Sequence, residues 1–185
     1  ILAIARIGWA APDAHLLEVT KLNRKSKWSG RTLFQPIPGP SIGVDVQYPL
    51  DTSHSLKRLY AYGWATGNCA IGDVNGDGKM DLFFPGTTTE HKLYIQGDGF
   101  NFVDLTAQAG VGGQPEIWGS TAVMGDVDRD GDLDIFVANF GSTNQLFINI
   151  SRGGEVKFTN LAFDYGVDLA GGCLGASFVD FNGDG

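Results

Sequence analysis

Residues 72–86 read GDVNGDGKMDLFFPG, and how this stretch is read decides the fold. Asp73, Asn75, Asp77 and Asp81 crowd its first half, and a nearly uncharged apolar run follows at once. Side-chain oxygens fall at alternate positions, while Gly76 and Gly78 let the backbone take positive φ, so the loop can curl its oxygens toward one point. An oxygen-only set rich in carboxylates suits a hard cation, Ca²⁺ rather than a transition metal. With Asp73 as position 1, the ligands are the side chains at 1, 3, 5 and 9 plus the carbonyl of Lys79 at 7. Only the lysine backbone is asked to bind, so its side chain is free to point to solvent.

The spacing recurs. GDVDRDGDLDIFVAN places Asp126, Asp128, Asp130 and Asp134 at the same offsets, with the carbonyl of Asp132 at position 7. VDFNGDG supplies Asp180, Asn182 and Asp184 and reaches the last residue. Asp126 follows Asp73 by 53 residues, and Asp180 follows Asp126 by 54. Solvated acidic hairpins without metal are the competing reading, and a near-constant period over three copies weighs against it. A helical calcium hand needs a bidentate Glu at position 12. Phe84 and Val137 stand there instead, and DLFFPG and DIFVAN read as short strands leaving the loop.

More than the loop repeats. HKLYIQGDG aligns with NQLFINISRGG, Leu93 on Leu146 and Tyr94 on Phe147. FVDLTAQAGV aligns with FTNLAFDYGV, Phe102 on Phe158 and Gly110 on Gly166. The extra residues of the second copy fall in a turn at Ser151 to Glu155, where insertion is cheapest. A small-residue strand precedes each loop: GNCAIGD, GSTAVMGD and GASFVD. Each period thus holds about four short strands joined by Gly- and Asp-rich turns, the pattern of a β-propeller blade. The small first strand suits the crowded position near a propeller axis, and no stretch offers an amphipathic helix.

GNCAIGDVNGDGKMDLFFPG, HKLYIQGDGFNFVDLTAQAGV and GASFVDFNGDG together resemble the FG-GAP/VCBS repeats of integrin-α-type β-propellers. Within that group they are most similar to the secreted family related to cartilage acidic protein (the ASPIC/UnbV-associated proteins). The resemblance covers about residues 60–185. It implies an all-β fold of four-stranded antiparallel blades, here a partial propeller, with a Ca²⁺ loop joining the first and second strands of each blade. It further implies Ca²⁺ roles for Asp73, Asn75, Asp77, Lys79 and Asp81, and for Asp126, Asp128, Asp130, Asp132 and Asp134. The third loop, Asp180, Asn182 and Asp184, departs from the pattern because its last two ligand positions fall beyond Gly185.

These readings divide the chain into an N-terminal β-rich segment (1–55), a first blade (56–110), a second blade (111–168) and the start of a third repeat (169–185). In the first segment ILAIARIGWA and HLLEVTKLNRK read as strands, and RTLFQPIPGP as another that ends in a proline-rich break. Residues 1 to about 35 are expected to cover a blade edge, in the same ring or in a neighbouring subunit. Leu16, Leu17 and Val19 would supply the buried side chains and Lys21 to Lys27 an exposed turn. Without an initiator Met or clear signal peptide, and halting inside a metal loop, the sequence is expected to be a processed or partial product.

Composition narrows the function. The formal charge is −8 and the pI about 4.6, with no Lys/Arg cluster beyond the run Lys21 to Lys27, a poor profile for nucleic-acid binding. Ile1 to Ala11 is too short to span a bilayer and Arg6 interrupts it, so no membrane insertion is expected. No GxSxG, HExxH or P-loop occurs. Cys69 and Cys173 are expected to be buried free thiols. His15, His54 and His91 share no metal-like spacing and read as surface or turn residues. Trp9, Trp28, Trp64 and Trp118 read as packing. Asn149-Ile150-Ser151 is an N-glycosylation sequon in or beside a hairpin.

The expected function is a non-enzymatic, calcium-binding scaffold that is secreted, periplasmic or cell-surface. Protein or glycan partners would bind at its loops or edges. Two alternatives remain open: a surface-filament subunit that self-associates by strand or edge pairing, and the non-catalytic part of a larger secreted enzyme.

Overall fold

The computed structural model describes residues 36–49, 53–58 and 68–183, together with the backbone of two short strands, β1 (Ala5–Arg6) and β2 (Glu18–Val19). These two pair antiparallel, Ala5 opposite Val19, inside a unit that ends at Pro36. The expectations placed on Leu16, Leu17 and Lys21 to Lys27, and on Trp9, Trp28, Trp64 and His15, lie outside the described residues.

The second unit holds two antiparallel sheets. The first runs in order β3 (Ala70–Gly72), β4 (Asp81–Phe84), β5 (Lys92–Gln96) and β6 (Phe102–Asp104). The second contains β7 (Trp118–Gly125), β8 (Asp134–Thr143), β9 (Gln145–Asn149) and β10 (Phe158–Asn160) in the same up-and-down order. The registers match. Ile71 faces Leu82 and Leu82 faces Tyr94 in the first sheet; Met124 faces Ile135 and Ile135 faces Phe147 in the second, 53 residues on. The last pair of strands is offset by three more, Gln96 opposite Phe102 against Asn149 opposite Phe158, because the second hairpin carries the longer turn. The described residues of this unit thus form a partial β-propeller with two blades.

Alternation along the strands gives each blade two apolar faces. Phe83, Leu93 and Ile95 of the first blade bury against Ile135, Val137 and Phe147 of the second, and this inter-blade layer is the main core. Burying a side chain of this size contributes about 1.5–3 kcal/mol. The far face of the second blade carries the residues equivalent to the near face of the first, Phe136, Leu146 and Ile148, packed under Leu161, Ala162 and Val167. Close stacking needs glycine at the end of each inner strand. A Cβ on Gly72 would lie 2.6 Å from Leu133 Cδ1, and one on Gly125 would lie 2.6 Å from the ring of Phe178.

Two expectations are corrected here. Residues 36–49, read as part of a β-rich segment, carry no strand; Pro36, Pro38 and Pro40 remove ladder donors, and a 3-10 turn forms at Gly39–Ile42. This stretch covers the outer face of the first blade, where Tyr94 Oη donates to the carbonyl of Asp45 at 2.9 Å. Residues 175–180, read as a third inner strand, have no ladder, although Thr121 Oγ1 donates to the carbonyl of Leu174 at 3.3 Å. Just before it, β11 (Ala170–Gly172) pairs with the far end of β8. One helical turn, Thr106–Ala109, follows β6, and no helix among the described residues is long and apolar enough to cross a membrane.

Candidate metal centres

Both complete loops leave the inner strand of a blade and return on the next, between β3 and β4 and between β7 and β8. Short carboxylate side chains accept hydrogen bonds from N–H groups a few residues ahead, and this sets the curl of each loop. In the first, Asp73 Oδ1 accepts from Gly76 and Asp77 (2.8 and 3.2 Å), and its Oδ2 accepts from Gly78 (2.7 Å). Asn75 Oδ1 accepts from Asp77 (3.1 Å), and Asp77 Oδ1 from Lys79 (2.9 Å). The second repeats the scheme: Asp126 Oδ2 with Gly131 (3.0 Å), Asp128 Oδ1 with Asp130 (3.2 Å), Asp130 Oδ1 with Asp132 (2.9 Å). In the third, Asp180 Oδ1 accepts from Gly183 at 2.7 Å, as Asp73 does from Gly76. Asn182 follows it, and Asp184 lies outside the described residues.

The second loop brings Asp126, Asp128 and Asp130 together, with one carboxylate oxygen of each within 4.8 Å of the others, all three exposed. Like charges at such distances repel by about 1 kcal/mol per pair even in water. A carboxylate offers about four lone-pair sites, and the N–H bonds above use only some of them. The donors are all oxygen, so the set fits a hard divalent cation such as Ca²⁺.

Asp81 and Asp134 stand apart from the exposed cluster. Both are fully buried. Asp81 accepts from Val74 N (3.0 Å) and Gln96 N (2.8 Å), and Asp134 from Val127 N (2.8 Å) and Asn149 N (2.8 Å). Burial is the main cause that raises both above the usual carboxylate range; the N–H bonds oppose it, and the neighbouring loop carboxylates add to it. They lock the loop onto the third strand of the blade, each oxygen accepting one backbone N–H.

The Lys79 side chain lies at the surface, as expected, and there it meets two carboxylates. Its Nζ lies 3.1 Å from Asp98 Oδ1 and 3.6 Å from Asp77 Oδ2. The hydrogen bond to Asp98 raises its pKa, and the Lys79 backbone N–H is the main cause lowering that of Asp77. Asp132, at the equivalent position of the second loop, adds a charge of opposite sign.

Three residues have roles that sequence reasoning missed. His91 is not a surface residue: it is fully buried between the rings of Phe83 and Phe147. Its Nδ1 accepts from Gly86 N at 2.8 Å, so Nε2 carries the proton and donates to Gln145 Oε1 of the second blade at 2.8 Å. Asn149, the sequon residue, is 2 % exposed, and its Nδ2 donates to the carbonyls of Val74 (2.8 Å) and Leu133 (3.1 Å). In the folded chain that nitrogen is buried and both of its hydrogens are engaged, so it is not open to a glycan. Asn68, in the first blade, accepts from Ala122 N at 2.7 Å and donates to Ala122 O at 2.9 Å. Cys69 and Cys173 are free and half-buried, with the Cys69 thiol pushed up to about 11 by burial. Trp118 packs with Leu56 and Phe140.

The model of the FG-GAP-like repeat matches residues 73–137 and again 126–185, each match starting on the first aspartate of a loop. The chain belongs to the FG-GAP-like repeat family. The first repeat match therefore runs from one loop through the other, and the second takes in Asp126 to the end. Among relatives, cartilage acidic protein 1 of Mus musculus is 31% identical over 124 residues, 63% of this chain and 19% of that protein. The Homo sapiens protein of the same name is 30% identical over 124 residues, 18% of its length. This FG-GAP-like chain thus spans under a fifth of the curated relatives it matches.

Proposed function

We propose that the two loops bind Ca²⁺ and that the chain forms part of a calcium-stabilised, non-enzymatic scaffold outside the cell, with protein or glycan partners at its loops or blade edges. The observation that carries this reading is the convergence of Asp126, Asp128 and Asp130. The same train of N–H bonds shapes the loop at Asp73. Ca²⁺ would be held by the side chains at positions 1, 3, 5 and 9 and the carbonyl at 7. There it would cancel the mutual repulsion of the carboxylates and fix each loop between its two strands.

Exposed oxygen loops of this sort bind Ca²⁺ at roughly 10⁻⁴–10⁻³ M in extracellular modules, a level met outside cells. The matched relatives are named for cartilage, which agrees with such a setting. Partners are proposed for the loops because loops on a rigid β scaffold vary without cost to the core.

Thermal unfolding in millimolar Ca²⁺ against a chelator tests the reading. A ligand at a hundred times its Kd stabilises by about 2.7 kcal/mol, a rise of roughly 5–10 °C in Tm for a chain of this size. An unchanged Tm together with no binding heat at millimolar Ca²⁺ would defeat it.

A further inference from the structure

Asn149 sits at the end of β9 with every hydrogen-bonding capacity of its side chain in use. Its Oδ1 accepts from Ser151 N at 3.0 Å and from Ser151 Oγ, and Ser151 Oγ is itself fixed by Lys157 N at 3.0 Å. Its two amide hydrogens go to Val74 of the first loop and Leu133 of the second. Its backbone N–H goes to Asp134 Oδ1 at 2.8 Å. Val74, in turn, donates its N–H to Asp81 Oδ2 at 3.0 Å. Between the two buried carboxylates that close the loops stand only two residues, Val74 and Asn149. Gln96, at the equivalent place in the first blade, likewise donates its N–H to Asp81 at 2.8 Å.

We propose that Asn149 couples the two loops, so that Ca²⁺ binding at one raises the affinity of the other; this rests on the calcium reading above. Asn149 is a positioning residue, not a ligand. A cation in the first loop draws on Asp81 and fixes the Val74 peptide that Asp81 holds. Val74 then presents a settled carbonyl to Asn149, which fixes Leu133 and Asp134 at the closing end of the second loop. Part of the ordering that the second cation would impose is already in place. The path works equally in reverse, as linkage requires. Ser151 serves as the orienting partner of Asn149, and the sequon is a clamp between blades.

Calorimetric titration of the full 185-residue chain with CaCl₂ tests this. Asp130→Ala disables the second loop and should weaken Ca²⁺ binding at the first on the order of fivefold; Asp77→Ala should weaken the second by the same factor. Asn149→Ala should reduce both effects to less than twofold. If that variant fails to fold, Ser151→Ala removes one of the two donors holding Oδ1, leaves both carbonyl contacts possible, and should reduce the coupling in part. Loops that bind independently in the wild-type background overturn the proposal. So does a coupling that survives both substitutions at full strength, since that is the signature of charge acting through space. Absence of any calcium uptake overturns this proposal and the calcium reading together, whereas uptake by independent loops overturns this one alone.

Discussion

The two blades set different chemistry on one backbone. Between its first and last aspartates the first loop carries three carboxylates and one lysine, and the second five carboxylates and one arginine. Formally these are −2 and −4. The first loop supplies part of its own neutralisation, through Lys79 beside Asp77 and Asp98. The second holds three carboxylates within 4.8 Å and places Asp132 where the lysine would be. A second contrast lies at the start of the third strand. His91 in the first blade and Asn144 in the second each accept the N–H of the residue five places earlier, Gly86 at 2.8 Å and Asn139 at 2.9 Å. Each then reaches toward the following segment, His91 to Gln145 and Asn144 to the Cys173 sulfur at 3.6 Å. One of these stitches is ionisable and the other is not. The repeat preserves a hydrogen-bonding role and leaves its electrostatics open to change.

The largest expected effect separates the loops by metal. Charge count tunes Ca²⁺ affinity, so the second loop should bind more tightly and contribute more of the calcium-dependent stability. Asp130→Ala should remove the larger share of the Tm rise, and Asp77→Ala the smaller; a single loop at a hundredfold excess over its Kd contributes about 2.7 kcal/mol. Equal losses from the two substitutions, measured at the same Ca²⁺ concentration, would show that charge count does not rank these loops.

The next effect separates His91 from Asn144. Burial holds the His91 pKa below its ordinary value, and the hydrogen bond to Gln145 opposes this only in part. In the unfolded chain the imidazole takes a proton near pH 6.5. The folded state therefore binds fewer protons below that pH. The stability is fully present above about 6.5 and is lost as pH falls toward the lower folded pKa, by up to about 1.4 kcal/mol per pH unit. A protonated ring would also set an N–H against the Gly86 N–H. His91→Asn, which copies the residue at 144, should flatten this dependence between pH 6.5 and 5 in urea unfolding, whatever it costs at pH 7.5. A slope equal to wild type over that range would mean that other groups carry it.

These contrasts also show where the sequence is readable. The loop spacing and the 53-residue offset are local and periodic, so the blades, the equivalence of their strands and the acidic loops follow from residues alone. The roles of His91 and Asn149 depend on partners 54 and 75 residues away, and no local pattern carries them. A signal was nonetheless present in the aligned repeats. Asn144 matches His91 and Gln96 matches Asn149, and polar residues recurring at the two ends of an otherwise apolar strand mark structural hydrogen bonds. Residues 36–49 gave no such signal, because they belong to no repeat; the Tyr94 hydroxyl and the close approach of Gly43 to the Phe102 backbone show what they cover.

The smallest effect tests whether Lys79 explains part of the difference between the loops. Its ion pairs with Asp77 and Asp98 are solvent-exposed, so Lys79→Ala should change stability without calcium by no more than about 1 kcal/mol. Its influence on the ion should be easier to see. The ammonium lies 3.6 Å from a candidate ligand oxygen and opposes a second positive charge there. Removing it leaves the backbone carbonyl at position 7 in place and makes the formal charge of the loop −3. Ca²⁺ affinity at the first loop should rise a few-fold, and the gain should shrink as salt screens the interaction. Calorimetry of Lys79→Ala in the Asp130→Ala background, at low and at physiological ionic strength, isolates the first loop. An unchanged affinity at low salt would show that Lys79 remains turned toward Asp98 when the ion binds. The difference between the loops would then rest on the charges of the second loop, Asp128 and Asp132 set against Arg129.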